Sequence, residues 1–247
     1  MSAEAVVASD ATASATLAED SQTPRDGRWD VAFTPYLWVA GMKGDIGIPR
    51  GDNEVEIDKS FADVVGSLKF AFMGTLDVRY DRFVALSDVM YISLGADAEG
   101  IRDAQFLEGR VNTSALVVAV AGGYRVVDRG PMFVDLVAGG RLVSLDAKVE
   151  LRGPLTSRER KASKSNLEGL IGGRVRVPLG KNWGMAIYGD VGTGSVIWQM
   201  LGTVQWDISN HWRMAAGYRH MSINHKKDDF KFDVALSGPI VGVTYRF

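Results

Sequence analysis

The chain of 247 residues is 46% hydrophobic and 23% charged, with 28 glycines, 9% aromatics, no cysteine, 3 histidines and a formal net charge of -2. This composition suits a folding chain and excludes disulfides, thiolate metal sites and cysteine nucleophiles. It also leaves too few imidazoles for a histidine-rich metal centre, so neither a metal nor a cofactor is expected. The 28 basic and 30 acidic residues form no basic block, which argues against a nucleic-acid partner, whose phosphates demand a concentrated positive face.

Residues 1–27 are rich in Ala, Ser, Thr and Asp and contain no aromatic residue. They read as a disordered leader with neither the positive start nor the continuous apolar stretch of a secretory signal. Further on, the longest apolar runs, such as Ser114 to Gly122, fall far short of the roughly 20 residues a membrane-spanning helix needs. A transmembrane β-barrel stays possible, because its lipid-facing and lumen-facing residues alternate and average to a soluble-looking hydropathy.

From Trp29 onward that alternation persists. Trp29, Val31, Phe33, Pro35, Leu37 and Val39 share one face, and Asp30, Ala32, Thr34, Tyr36 and Trp38 share the other, a period of two that fits a strand and no helix. Phe70, Phe72, Leu76, Val78 and Tyr80 repeat the pattern against Lys69, Met73, Thr75, Asp77 and Arg79. So do Ile171, Val175 and Val177 against Arg174 and Arg176, and Trp198, Met200, Val204 and Trp206 against Gln199, Thr203, Gln205 and Asp207. Turn residues divide residues 28–247 into about ten strands, at 28–48, 69–80, 83–95, 106–125, 131–150, 164–178, 183–193, 196–208, 212–224 and 230–247. A hairpin within 49–60 would change the number to eight or twelve. The segment Ser60 to Leu68 spaces Phe61, Val64, Val65 and Leu68 as a short helix, capped by Ser60, that could fold over a barrel mouth.

The connections tend to alternate. Those after residues 80, 127, 179 and 209 are short, whereas 49–68, 96–105, 151–163 and 225–229 are mostly longer and more polar; Gly194-Ser195 is the exception. Trp29, Tyr80, Phe83, Tyr124, Phe133, Trp183, Trp206, Trp212, Tyr245 and Phe247 cluster near the short turns or a terminus, as an interfacial aromatic girdle requires. The expected fold is therefore all-β, a single antiparallel transmembrane β-barrel over 28–247.

The chain ends Val241-Gly242-Val243-Thr244-Tyr245-Arg246-Phe247. This resembles the last strand of bacterial outer-membrane β-barrels, which implies that Tyr245 and Phe247 form the signal read by the barrel-assembly machinery. Gly217-Tyr218-Arg219 and Leu236-Ser237-Gly238-Pro239 also look like the closing hairpin of the small outer-membrane barrel-domain proteins. The resemblance implies a bacterial outer-membrane location among outer-membrane lipids and lipopolysaccharide.

With the apolar face toward lipid, the lumen receives Asp30, Lys69, Asp77, Arg79, Asp88, Asp135, Arg141, Arg174, Arg176, Asp190, Asp207, Arg213, Arg219 and Arg246. These charges would either pair across a filled interior or line a narrow path for small anionic or neutral solutes. The expected role is accordingly a structural or narrow porin-like barrel, without enzymatic activity.

Two alternatives accompany it. His220 and Ser222 lie two apart on one face, with Asp233 about a dozen residues later; this spacing resembles the outer-membrane lipid A deacylases and would imply a lipid hydrolase with a serine nucleophile. Arg158-Glu159-Arg160-Lys161 and Lys226-Lys227-Asp228-Asp229 suggest instead loops that bind a surface partner or lipopolysaccharide phosphates.

Overall fold

A computed structural model describes residues 27, 29–47, 54–59, 62, 66–97, 108–152, 157–193, 196–227 and 230–247. The expected leader, 1–27, lies outside these residues except for Gly27, and so does most of the expected helix at Ser60 to Leu68, whose last residue opens a strand. Among the described residues no helix is long and apolar enough to cross a membrane.

The strands are β1 (Trp29–Trp38), β2 (Gly41–Gly47), β3 (Glu54–Lys59), β4 (Leu68–Tyr80), β5 (Phe83–Asp97) and β6 (Glu108–Arg129). They continue with β7 (Met132–Arg152), β8 (Ser157–Pro178), β9 (Trp183–Gly192), β10 (Val196–Asp207), β11 (Trp212–Lys227) and β12 (Phe230–Arg246). Each of β4 to β11 pairs antiparallel with the next in sequence, β1 pairs with β4 on one side, and β12 returns to β1 on the other. The result is a closed ten-stranded barrel made of β1 and β4–β12. Closure follows from the register of the terminal strand, in which Ala32 faces Arg246, Leu37 faces Val241 and Trp38 faces Ile240. The Phe247 amide then donates to the Val31 carbonyl at 2.9 Å.

The expected first strand, 28–48, is interrupted at Val39 and Ala40, so β1 and β2 run one after the other along β12. The interruption sits opposite Gly238 and Pro239. The Val39 amide donates to the Pro239 carbonyl at 2.9 Å, and the Val39 carbonyl lies where a Cβ on Gly238 would be. Only glycine lets the two backbones approach this closely. Beyond the break β2 pairs with β3; only β3 falls within 49–60, where the sequence allowed a hairpin, and the barrel keeps ten strands.

The short connections lie at the end that holds both Trp29 and Phe247. At the opposite end the strands are longer than expected: β7 and β8 stay paired out to Arg152 and Ser157, and β11 and β12 out to Lys227 and Phe230. The polar stretches 151–163 and 225–229, expected as loops, are therefore largely ladder. Their residues are polar on both faces, so the alternation of hydropathy vanishes although the alternation of geometry continues.

Gly238→Ala is expected to prevent closure, leaving little or no SDS-resistant, heat-modifiable band after refolding in detergent. Gly202→Ala, where nothing lies within 4 Å of an added Cβ, should keep the full band. Equal folding of the two variants would show that the β1–β2 break does not depend on a glycine.

Candidate functional site

The outer wall is read most simply as rows of paired residues on β5, β6, β7 and β8. One outward row is Val89, Val118, Leu142 and Leu167, with Leu167 76% exposed. Tyr91, Leu116, Ser144 and Ser165 follow, then Ser93, Ser114, Asp146 and Ser163. Over two rows the outer face changes from apolar to polar. Toward the other end it stays apolar as far as a ring of aromatics: Trp29 against Tyr80 at 4.8 Å, Phe83 against Tyr124 at 5.6 Å, Trp183 stacked on Trp206 at 5.8 Å, and Trp212 against Tyr245 at 4.8 Å. From Phe83 to Tyr91 the band runs about 26 Å along the strand, or roughly 20 Å after tilting, which suits a bilayer core.

The inner wall has the opposite chemistry. Asp135 and Arg141 are 0% exposed although both belong to strands whose outer faces are apolar and open. Arg125 Nε donates to Asp135 Oδ1 at 2.8 Å and Arg174 Nη2 to Asp135 Oδ2 at 2.8 Å, while Arg174 also pairs with Asp77. Apolar outside, ion-paired inside and closed into a ring by the ladders of β1 with β4 and with β12, this architecture suits a bilayer. The chain is a transmembrane β-barrel.

No protein-family model matches the sequence, and no curated protein does. Among solved structures the barrel is similar to the translocator domain of the autotransporter NalP from Neisseria meningitidis, at 14% identity over 90% of each chain with a TM-score of 0.45. It is similar to the outer membrane protease OmpT from Escherichia coli at 10% identity, over 91% of this chain and 98% of that one, with a TM-score of 0.47. It is also similar to the attachment invasion locus protein Ail of Yersinia pestis at 14% identity, over 90% and 99%, with a TM-score of 0.38. These are distant likenesses of architecture, and the assignment stands on the barrel's own two faces.

Inside this barrel the charges lie in three groups. At the short-turn end Asp207 accepts from Arg176 at 2.9 Å, Arg213 at 2.7 Å and Arg246 at 2.6 Å, and Arg79 pairs with Asp30 and approaches Asp128 to 3.8 Å. Next comes the group of Arg125, Asp135, Arg174 and Asp77, with Phe133 beneath the Arg125 guanidinium at 3.9 Å. Above it Arg141 pairs with Asp190 and Glu168, Gln199 links Asp190 to Arg219, and Arg219 reaches Asp88 at 2.8 Å and the Tyr36 hydroxyl at 2.9 Å.

Two of these bonds join strands that are not neighbours. Arg219 on β11 meets Asp88 on β5, and Arg174 on β8 meets Asp77 on β4; in each case the partners come from strands that are far apart around the ring. The guanidiniums therefore cross the lumen instead of lining it. Toward the long-strand end an apolar layer follows, with Trp38, Met73, Met90, Val117, Met221 and Ile240 all buried and inward.

Thirteen of the fourteen expected lumen residues take part in these groups, and Lys69 is the correction. The register shifts between Leu68 and Phe70, which carries the Lys69 side chain sideways over Gly95 to donate to Asn112 on the outer face. Phe133 is a second correction, since it faces the lumen arginines and not the girdle. Arg125, Asp128, Glu168, Gln199 and Tyr36 were missing from the expected set: Glu168, Gln199 and Tyr36 share the strand parity of residues named, whereas Arg125 and Asp128, of opposite parity to each other, are brought to the same side by the register shift between Arg125 and Val127. Tyr245 packs against Phe247 at 5.0 Å at the end of the barrel, as a terminal aromatic pair should.

The expected His220 and Ser222 pair is not joined. Both sit on the outer face, but His220 Nδ1 lies 2.6 Å from Ser237 Oγ on β12, and Trp198 packs on the imidazole at 4.8 Å. Asp233 is placed by its backbone opposite Asn224 and Asp45, and its side chain lies outside the described residues, as do those of His225, Lys226 and Lys227. Among the described residues no cluster of His, Cys, Asp and Glu could hold a metal ion.

Removing Asp135 leaves two guanidiniums without their shared carboxylate. Asp135→Ala should therefore cost about 3–5 kcal/mol of stability, whereas Asp30→Ala, at an exposed pair, should cost less than about 1 kcal/mol. Urea unfolding in lipid vesicles, followed by tryptophan fluorescence, measures both; equal losses would remove the buried carboxylate from the account.

Proposed function

We propose that the protein is an axially closed, structural outer-membrane barrel that anchors long extracellular strands, and not a passive solute channel. The cross-lumen bonds of Arg219 with Asp88 and Arg174 with Asp77 carry this reading, backed by the apolar layer of Trp38, Met73, Met90 and Met221. A narrow pore needs a continuous watery path, and each of these groups lies across one. The buried ion pairs fix the inner wall at the cost of desolvation, which their paired geometry offsets. In this reading Tyr245 and Phe247 serve the barrel-assembly machinery, and the surrounding outer-membrane lipids are the permanent partners.

Planar bilayers test this reading. The wild-type protein should give no steady conductance, and the double variant Arg219→Ala/Met221→Ala should open brief conducting states. Stable wild-type channels whose ion selectivity changes in Arg174→Ala would establish the channel and overturn the structural reading.

One observation favours a second reading, ester hydrolysis at the lipid face. Ser237 Oγ would attack an acyl ester carbonyl as its proton passes to His220 Nδ1, the alcohol would leave with that proton, and water would then release the acyl group from Ser237. The 2.6 Å contact supports Ser237, and not Ser222, as the nucleophile. Vesicles containing phospholipid or lipid A should lose any release of fatty acid with Ser237→Ala and keep it with Ser222→Ala. No release by the wild type would remove the enzyme.

A further inference from the structure

The short-turn end of the lumen carries a charge arrangement that neither a closed barrel nor a hydrolase uses. Three guanidiniums, from Arg176 on β8, Arg213 on β11 and Arg246 on β12, converge on the single carboxylate of Asp207 on β10. Gly184 makes one of these reaches possible: Arg176 crosses β9 to arrive at Asp207, and a Cβ on Gly184 would lie 3.1 Å from its Nη2. Asp207 Oδ1 accepts from Arg213 Nε and from Arg246 Nη2, and Oδ2 accepts from Arg176 Nη2 and, at 3.3 Å, from Arg213 Nη2. A carboxylate offers about four acceptor sites, so this one is saturated. Among the described residues Arg213 Nη1 and Arg246 Nε have no acceptor in the protein.

The rest of this end leaves the local surplus of two positive charges in place. Across the mouth Arg79, Arg125 and Arg174 are held by Asp30, Asp128, Asp135 and Asp77, one acid more than they need. Among the described residues none of those acids bonds Arg176, Arg213 or Arg246. The mouth is therefore polarised, positive on the side of β8 and β10–β12. Water reaches this side, because the Asp207 and Arg246 side chains are 27% and 26% exposed.

The open donors belong to two guanidiniums on adjacent strands and not to one fork. A planar carboxylate is matched best by a single fork. A tetrahedral oxyanion instead accepts from separate directions, and one with two negative charges offsets the surplus. We propose that this side of the short-turn mouth binds a phosphate dianion, free or carried by a small water-soluble ester, with Arg213 and Arg246 as donors and Arg176 adding its charge. The site does not depend on whether the lumen is closed above it.

The test uses the full chain refolded in zwitterionic detergent micelles, which leave both mouths accessible. It is titrated calorimetrically with inorganic phosphate, glycerol 3-phosphate or succinate at constant ionic strength and about pH 8, where a phosphate carries close to two charges. Phosphate should give a saturable heat, and Arg213→Gln should weaken its binding at least about tenfold. Asp207→Asn, which removes the competing carboxylate, should bind several-fold tighter although it loosens the barrel; Arg79→Gln, across the mouth, should bind as wild type. Because Arg213→Gln could fold poorly, Arg246→Lys, which keeps the charge and loses Nε, is the milder comparison and should weaken binding several-fold. Equal binding of glycerol 3-phosphate would assign a phosphate ester, and its exclusion would assign the free ion; either supports the site. No saturable heat with the wild type overturns the proposal, as does an unchanged affinity in both arginine variants. Succinate bound as tightly as phosphate, or Asp207→Asn losing affinity together with stability, overturns it as well.

Discussion

Backbone hydrogen bonding in a medium without water is the constraint on which this structure depends. Each amide and carbonyl within the hydrocarbon must find a partner in the protein, and an antiparallel sheet can provide this only by closing on itself. The closing seam is therefore as important as any side chain. It is made by β12, which lies against β1 from Arg246 to Ile240 and then against β2 from Ser237 to Lys231. One strand thus pairs with two pieces of chain, and Gly238 and Pro239 face the junction between them. Closure forces alternation in turn: with lipid outside and a lumen inside, successive residues meet opposite environments.

The lumen of a ten-stranded barrel is somewhat wider than the one that side chains fill completely in a barrel of about eight strands. Long guanidiniums can bridge that extra width, and their planar donors can bond two acids at once. Arg174 does so between Asp77 and Asp135, and Arg219 reaches Asp88, Gln199 and Tyr36 together. Apolar residues could also fill the space, but a barrel apolar on both faces would have little to distinguish its inner face from its outer one. A one-residue slip exchanges the faces of a strand. In this barrel such a slip would push Arg141 or Asp135 into lipid, so the buried charges specify orientation as well as filling the interior.

The strands within the membrane were legible because lipid demands apolar residues at alternate positions, and the sequence shows them from Trp29 to Tyr245. Lumen charges could be assigned by the same parity, which also reaches Arg125 and Glu168. Proximity to a turn was a poorer guide: Phe133 lies near one but shares the parity of Asp135, and parity governs where it points. Three features were hidden for physical reasons. The outer lengths of β7 and β8 are polar on both faces, so their ladder has no hydropathy signal. Lys69 changes sides through a register shift that parity cannot detect. Ser237 meets His220 through cross-strand register, which no spacing along a single strand reveals.

The same strands also encode height. Within the membrane the outer face is apolar and the inner face charged; above it, from Ser93, Ser114 and Ser144 onward, the outer face becomes polar. On the inside the order runs the other way, with Asp207 and its arginines at the girdle end and Trp38, Met73 and Met221 toward the long strands. The aromatic ring fixes one edge of the barrel in the bilayer and the serine rows fix the other. A vertical shift of one row would immerse the polar groups of Ser144 and Ser165 or expose Leu142 and Leu167 to water. The depth of the barrel is thus set independently of its closure.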